Sequence, residues 1–135
     1  MSPGTLRIWC DGASRGNPGP ASIGVVVKDS NDLIVHEGKM VIGTATNNVA
    51  EYRALIYGLM IASPMMPEAL EVRMDSELVV KQMKGEYKVK DYKMQQLHAE
   101  AKLICEDFES VRFIHVRREE NMLADALANE ALDEA

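Results

Sequence analysis

The sequence predicts an α/β fold on a five-stranded mixed sheet, with elements in the order βββαβααβα. Three observations carry this expectation. Three apolar, alternating segments follow one another before residue 43. The apolar period then lengthens from two residues to the helical 3.6. After that, helical and extended patterns alternate, as they do where crossovers make strands parallel.

Taken in order, Leu6-Arg7-Ile8-Trp9-Cys10 alternates and ends at Asp11, which predicts a first strand. Asp11 to Ser22 is dense in Gly, Pro, Asn and Ser and reads as a turn. Ile23–Lys28 and Leu33–Ile42 are the second and third strands, joined through Asp29-Ser30-Asn31-Asp32. Short connections between them predict an antiparallel meander. Thr46, Asn47 and Asn48 are all candidate N-caps, with Glu51 at capping-box spacing from Asn48. The helix they open runs through Ala50, Ala54, Leu55, Leu59 and Ala62, and Pro64 and Pro67 stop it. Ala69–Asp75 is a fourth strand, and Ser76 caps a short helix ended by Gly85. Asp91 to about Phe108 is a longer helix, Ser110–Val116 a fifth strand, and Asn121–Leu132 a final helix. Strands one, four and five are expected to be parallel. Open sheets of this kind bind ligands beyond the carboxyl ends of such strands.

The 135 residues fit one domain, 1–135. No apolar run reaches the roughly 18 residues of a membrane span, and the first residues lack the pattern of a signal peptide. The expectation is a cytoplasmic monomer with no membrane partner. Cys10 and Cys105 match no metal-ligand spacing and read as reduced core thiols. A net charge of −6 argues against a polyanionic partner, but its distribution is uneven. Between Lys81 and Lys93 five lysines face only Glu86 and Asp91, whereas six acids and no base follow from Glu119 onward. Lys84, Lys88 and Lys90 are therefore either a solvated face or phosphate contacts.

Four acids stand out by position. Asp11 and Asp75 each follow an apolar strand directly. Glu51 and Asp125 lie on core-facing helical stripes, Glu51 with Ala54 and Leu55, Asp125 with Ala128 and Leu132. Carboxylates on such stripes are costly unless paired, and converging ones repel. Divalent cations resolve that repulsion, and an all-oxygen donor set suits Mg²⁺ or Mn²⁺. Two such ions about 4 Å apart activate water and stabilise the leaving oxygen of a phosphodiester.

The same residues form four ordered motifs. Asp11-Gly12-Ala13-Ser14-Arg15-Gly16-Asn17-Pro18-Gly19-Pro20 opens the chain, and Thr46-Asn47-Asn48-Val49-Ala50-Glu51 starts the first helix. Asp75-Ser76 follows the fourth strand, and Asn121 with Ala124-Asp125-x-Leu127-Ala128 lies near the end. Together they resemble ribonuclease HI over nearly the whole length. The resemblance implies the ribonuclease H-like fold and cleavage of the RNA strand of RNA–DNA hybrids with Mg²⁺ or Mn²⁺, leaving 5′-phosphate and 3′-hydroxyl ends. It places Asp11, Glu51, Asp75 and Asp125 on the family's two-metal carboxylates. It places Asn17, Asn47 and Asn48 on positions contacting substrate backbone and base edges, and Thr46 on one holding a DNA phosphate. The competing reading of Asn47 and Asn48 is helix capping alone, which is expected of one of them as well.

Two departures accompany it. Glu86-Tyr87-Lys88-Val89-Lys90 leaves no room for the additional basic helix and loop of many bacterial relatives. The short Arg117-Arg118-Glu119-Glu120 stands where relatives carry a loop histidine. Both fit the compact branch of archaea and some bacteria, some of whose members also cut double-stranded RNA. His115 lies ten residues before Asp125 but shares a strand face with Val111 and Phe113, so it is expected to be packed. Arg118 is expected to serve the site instead, against the alternative of a surface ion pair. A resolvase-like or transposase-like nuclease is the nearest competing reading, and the Thr46-Asn47-Asn48 run argues against it. A non-catalytic hybrid binder gains nothing from four clustered acids.

Overall fold

The computed structural model describes residues 4–135. The elements are β1 (Thr5–Ser14), β2 (Gly19–Lys28), β3 (Ile34–Ala45), α1 (Asn47–Ala62), β4 (Ala69–Met74), α2 (Glu77–Met83), α3 (Tyr92–Cys105), β5 (Val111–His115) and α4 (Met122–Glu134). Short 3-10 turns occupy Ser63–Met65 and Arg118–Glu120. One mixed sheet runs in the order β3-β2-β1-β4-β5. β2 is antiparallel to β1 and β3, while β1, β4 and β5 are parallel.

Strand alternation sends Leu6, Ile8 and Cys10 of β1, with Leu70, Val72 and Met74 of β4, into one fully buried core. That core is covered by α1, α2 and α3. α1 is packed between the sheet and α3, so nine of its residues are buried on several sides. On the opposite sheet face α4 packs on β1, β2 and β3. Val25, Val26 and Val27 of β2 are all buried because helices cover both faces there.

The stretch expected to be a turn is mostly strand. β1 continues through Asp11 to Ser14, which pairs with Ala21, and the turn itself is closed by Arg15 N–H donating to the Pro20 carbonyl at 2.8 Å. The small residues are there for close approach. A Cβ on Gly12 would lie 2.2 Å from the Ala50 carbonyl carbon, and one on Gly24 would lie 2.1 Å from the Ala124 carbonyl oxygen. Both helices therefore rest on bare backbone.

Thr46 caps α1 by accepting from Val49 N–H at 3.2 Å, so neither Asn47 nor Asn48 is the N-cap and Glu51 belongs to no capping box. Ser76 caps α2 and Asp91 caps α3, both as their positions predict. α3 ends at Cys105, one turn short of Phe108. Tyr52, fully buried on α1, donates to Gln82 Oε1 at 2.6 Å, and Gln82 Nε2 donates to the Lys88 carbonyl at 3.2 Å. This chain of bonds ties α1 to α2 and to the 84–91 connection.

Candidate active site

The site forms where β1 and β4 part. Their ladder ends at Trp9↔Arg73, and two residues further on Asp11 and Asp75 stand side by side. Glu51 reaches them from the first turns of α1. Its Oε1 accepts the backbone N–H of Gly12 at 2.5 Å, a contact made possible by the seating of α1 on Gly12. One oxygen from each of Asp11, Glu51 and Asp75 lies within 4.8 Å of the others. Asp125, on the first turn of α4, completes the lining of a pocket of about 410 Å³ and contacts Asp11.

The electrostatics follow from crowding and burial. Burial is the largest influence holding the Asp11 carboxyl well above the ordinary carboxylate range, and the Glu51 charge acts in the same direction. Burial also raises Glu51, while the Gly12 N–H opposes that rise. Buried carboxylates in this condition favour a cation. The donors are all oxygens, close enough to share one ion, so the residues present fit a hard divalent metal.

The structure places the remaining sequence candidates as follows. Arg118 lines the same pocket, the only basic side chain to do so, and is exposed. Asn47 lines it too, and its backbone N–H donates to Asn17 Oδ1 at 3.1 Å, drawing the β1–β2 turn to the start of α1. Thr46 and Asn48 sit beside Asn47, half-buried, outside the pocket wall. Lys84, Lys88 and Lys90 are exposed on the connection from α2 to α3, away from the carboxylates. His115 is exposed rather than packed, because α2 presents the solvated Glu77 near that end of β5. Cys10 and Cys105 are free thiols, but only Cys10 is in the core; Cys105 is half-buried at the end of α3. Burial, reinforced by the Glu51 charge, pushes the Cys10 thiol up.

Two site residues were not singled out individually in the sequence. Asn121, 1% exposed, donates from Nδ2 to the Cys10 carbonyl at 3.0 Å and reaches Asp75 Oδ1 at 3.5 Å. It clamps β1 to Asp75 at the point where the ladder stops. Asn129 donates to the Asp125 carbonyl at 3.0 Å and approaches its Oδ1 at 3.4 Å, steadying that carboxylate from one helical turn on. Asn121 was signalled by its place in the fourth motif and at a helix start, without a role of its own, and Asn129 only by its i+4 spacing from Asp125.

A family model described as Reverse transcriptase-like matches residues 9–131. Ribonuclease HI of Halobacterium salinarum is 45% identical over 132 residues, covering 98% of this chain and 66% of that protein. The crystal structure of RNase H1 from that archaeon superposes with a TM-score of 0.95 at 45% identity, covering 98% of this chain and 100% of that one. The chain belongs to the type 1 ribonuclease H family. Its sheet order and its βββαβααβα succession are those of the ribonuclease H-like fold. The bifunctional protein Rv2228c of Mycobacterium tuberculosis is 46% identical over 129 residues, 95% of this chain and 35% of that protein. This ribonuclease H chain thus spans about two thirds of the halobacterial protein and about a third of the mycobacterial one. LC11-RNase H1, solved in complex with an RNA/DNA hybrid, matches with a TM-score of 0.90 at 45% identity over 96% of this chain and 97% of that one. As in the compact branch of the family, α2 and α3 are joined by only residues 84–91.

Proposed function

We propose that the chain, acting as one domain over residues 1–135, hydrolyses the RNA strand of RNA–DNA hybrids at the carboxylate pocket, leaving 5′-phosphate and 3′-hydroxyl ends. The observation that carries this is the convergence of Asp11, Glu51 and Asp75 within 4.8 Å, with Asp125 on the same pocket. The hybrid is the substrate by kinship with LC11-RNase H1, which was crystallised with one.

Asp11, Glu51, Asp75 and Asp125 hold two Mg²⁺ or Mn²⁺ ions in this proposal. Bound there, such ions supply the positive charge that activates water and offsets charge on the leaving oxygen. The chain's own residues prepare the place. Gly12 N–H fixes Glu51, Asn121 fixes Asp75, and Asn129 fixes Asp125. Arg118 draws the scissile phosphate to the pocket through its guanidinium. Asn47 on the pocket wall, Thr46 and Asn48 beside it, and Asn17 on the adjoining β1–β2 turn are short polar side chains that approach a minor groove and sense its 2′-hydroxyls. Lys84, Lys88 and Lys90 supply the outlying phosphate contacts. No helix among the described residues is long and apolar enough to cross a membrane, and the proposed setting is cytoplasmic, with the chain a monomer.

The test is incubation of labelled RNA–DNA hybrid, double-stranded RNA and double-stranded DNA with Mg²⁺, Mn²⁺ or chelator. The expected result is metal-dependent cutting of the RNA strand of the hybrid, with double-stranded RNA cut more slowly and DNA intact. Cutting in chelator, or an intact hybrid in both metals, overturns the proposal.

A further inference from the structure

Strand alternation places Arg7 and Trp9 on the same sheet face as Asp11, and Glu71 and Arg73 on the same face as Asp75. Lys28 lies opposite Arg7 on β2, and Arg112 lies opposite Glu71 on β5. α4 packs over β1, β2 and β3 and leaves the β4–β5 part of this face largely uncovered. The indole of Trp9, half-buried on β1 beside the start of α4, borders the open area. Arg7, Lys28 and Arg73 approach its ring centroid at 5.4, 5.1 and 5.1 Å. Beside it a hollow of about 160 Å³ is bounded by Leu123 and Glu120 at the start of α4. The turn at Arg118–Glu120, which walls the carboxylate pocket through Arg118, therefore walls this hollow as well.

The charge here runs against that of the chain. Arg7, Lys28, Arg73 and Arg112 are met here by Asp32 and Glu71, with Glu120 on the wall of the hollow. The whole chain has 15 basic residues against 21 acidic ones. Two carboxylates serve the four strand cations. Asp32 meets Arg7 at 2.7 Å and Lys28 at 3.6 Å, and Glu71 meets Arg73 at 3.1 Å and Arg112 at 3.5 Å. Arg112 is 70% exposed. Trp and Arg also occur at protein interfaces, so the choice of partner rests on the three cations gathered over one ring and on their place beside the carboxylate pocket. Basic side chains around an aromatic ring, next to a site that reads phosphodiesters, suit single-stranded nucleic acid.

We propose that this Trp9 face binds single-stranded nucleic acid, and that it holds the unpaired strand flanking a hybrid whose paired part lies at the carboxylates. The second half of this statement rests on the proposed nuclease function; the first does not. A flank leaving the pocket crosses the Arg118–Glu120 turn, which is followed by the exposed apolar side chains of Met122 and Leu123, and descends onto the cations around Trp9.

Trp9 is the chain's single tryptophan, so its fluorescence reports on this face alone. Single-stranded oligothymidine, titrated into the full chain, is expected to quench it. A short hybrid carrying an oligothymidine flank is expected to bind roughly tenfold more tightly than the blunt hybrid, with a steeper salt dependence. Lys28→Gln with Arg73→Gln is expected to remove that gain while blunt-hybrid cleavage stays unchanged. Arg112→Glu, at a position too exposed to disturb folding, is expected to reduce it severalfold. The inference is overturned if oligothymidine leaves the fluorescence unchanged, if no flank on either strand raises affinity, or if the variants keep the gain. It is also overturned if polyglutamate quenches Trp9 and oligothymidine does not, which would assign the face to an acidic polypeptide. A blunt hybrid that is neither bound nor cut, with Trp9 still quenched by oligothymidine, refutes the nuclease reading and leaves the face standing.

Discussion

Two neighbouring regions of one sheet face treat charge in opposite ways. Around Asp11 and Asp75, four carboxylates line a pocket with a single basic residue, and burial holds Asp11 and Glu51 above the ordinary range. Two to four residues back, across β1, β2, β4 and β5, four cations share two carboxylates, and every one of them has a partner within 3.6 Å. The first region is unsatisfied by protein alone and therefore favours a ligand. The second is satisfied and holds its geometry without one. Pairing, more than residue type, separates a patch that needs a ligand to relieve its charge from one whose shape is held ready before a ligand arrives.

The largest expected effect comes from relieving the unsatisfied side. Asp75→Asn keeps the side-chain volume and the Oδ1 that Asn121 reaches, but it removes one of the crowded charges. Turnover on hybrid is expected to fall by more than about a hundredfold, beyond the cost of losing an outer hydrogen-bond partner. Melting in chelator is expected to hold or rise. Near wild-type turnover with correct folding would contradict the metal reading.

Metal and pH sharpen the same contrast. Asp11 and Glu51 keep protons in the folded state at pH values where the unfolded chain has released them. The folded state then binds more protons, so the stability of metal-free protein falls as pH rises from about 4 through neutrality. Bound Mg²⁺ opposes that loss and adds about 2.7 kcal/mol at a hundred times its dissociation constant. The gap between melting curves in Mg²⁺ and in chelator is expected to widen between about pH 5 and pH 8. Superimposed curves at every pH would sink this account.

Gly12→Ala tests the scaffold that brings Glu51 to the cluster. Its Cβ would fall 2.2 Å from the Ala50 carbonyl carbon, so α1 must shift and carry Glu51 with it. Urea melts are expected to show a loss of about 1–3 kcal/mol or more, with activity reduced further than stability explains. Arg118→Ala is expected to lower turnover severalfold and preserve the shape of the pH profile. His115→Ala, at an exposed position outside the pocket, is expected to leave both within about twofold. Loss of an ionisation between about pH 6 and 8 in the His115 variant would reverse that assignment. The smallest effect lies on the 84–91 connection. Replacing Lys88 and Lys90 with Ala is expected to flatten the dependence of log affinity on log salt by about one unit per lost contact. It should leave the melting temperature unchanged.

Much of this was legible in the sequence because the signals were local. Alternation and caps located every major strand and helix, and the apolar strand ends put Asp11 beside Asp75. The errors came where tertiary contact overrode local chemistry. Gly12 read as a turn residue, yet it sits inside β1, where α1 rests on it. Glu51 read as half of a capping box, yet it bonds to a strand 39 residues away. His115 alternates with packed residues, but what it faces depends on α2, which β5 alone does not reveal. Asn121 looked like an ordinary helix start, and its grip on Cys10 spans 111 residues of chain.

The bare backbone at Gly24 has a consequence for the carboxylate cluster. α4 lies against it so closely that the depth of Asp125 in the pocket is set by the absence of one carbon atom. A methyl group there would act as a shim beneath the helix, lifting one carboxylate of the four while the other three stay in register. The fit of Asp125 to the other three carboxylates is thus set from the neighbouring strand, at the residue paired with Asp11.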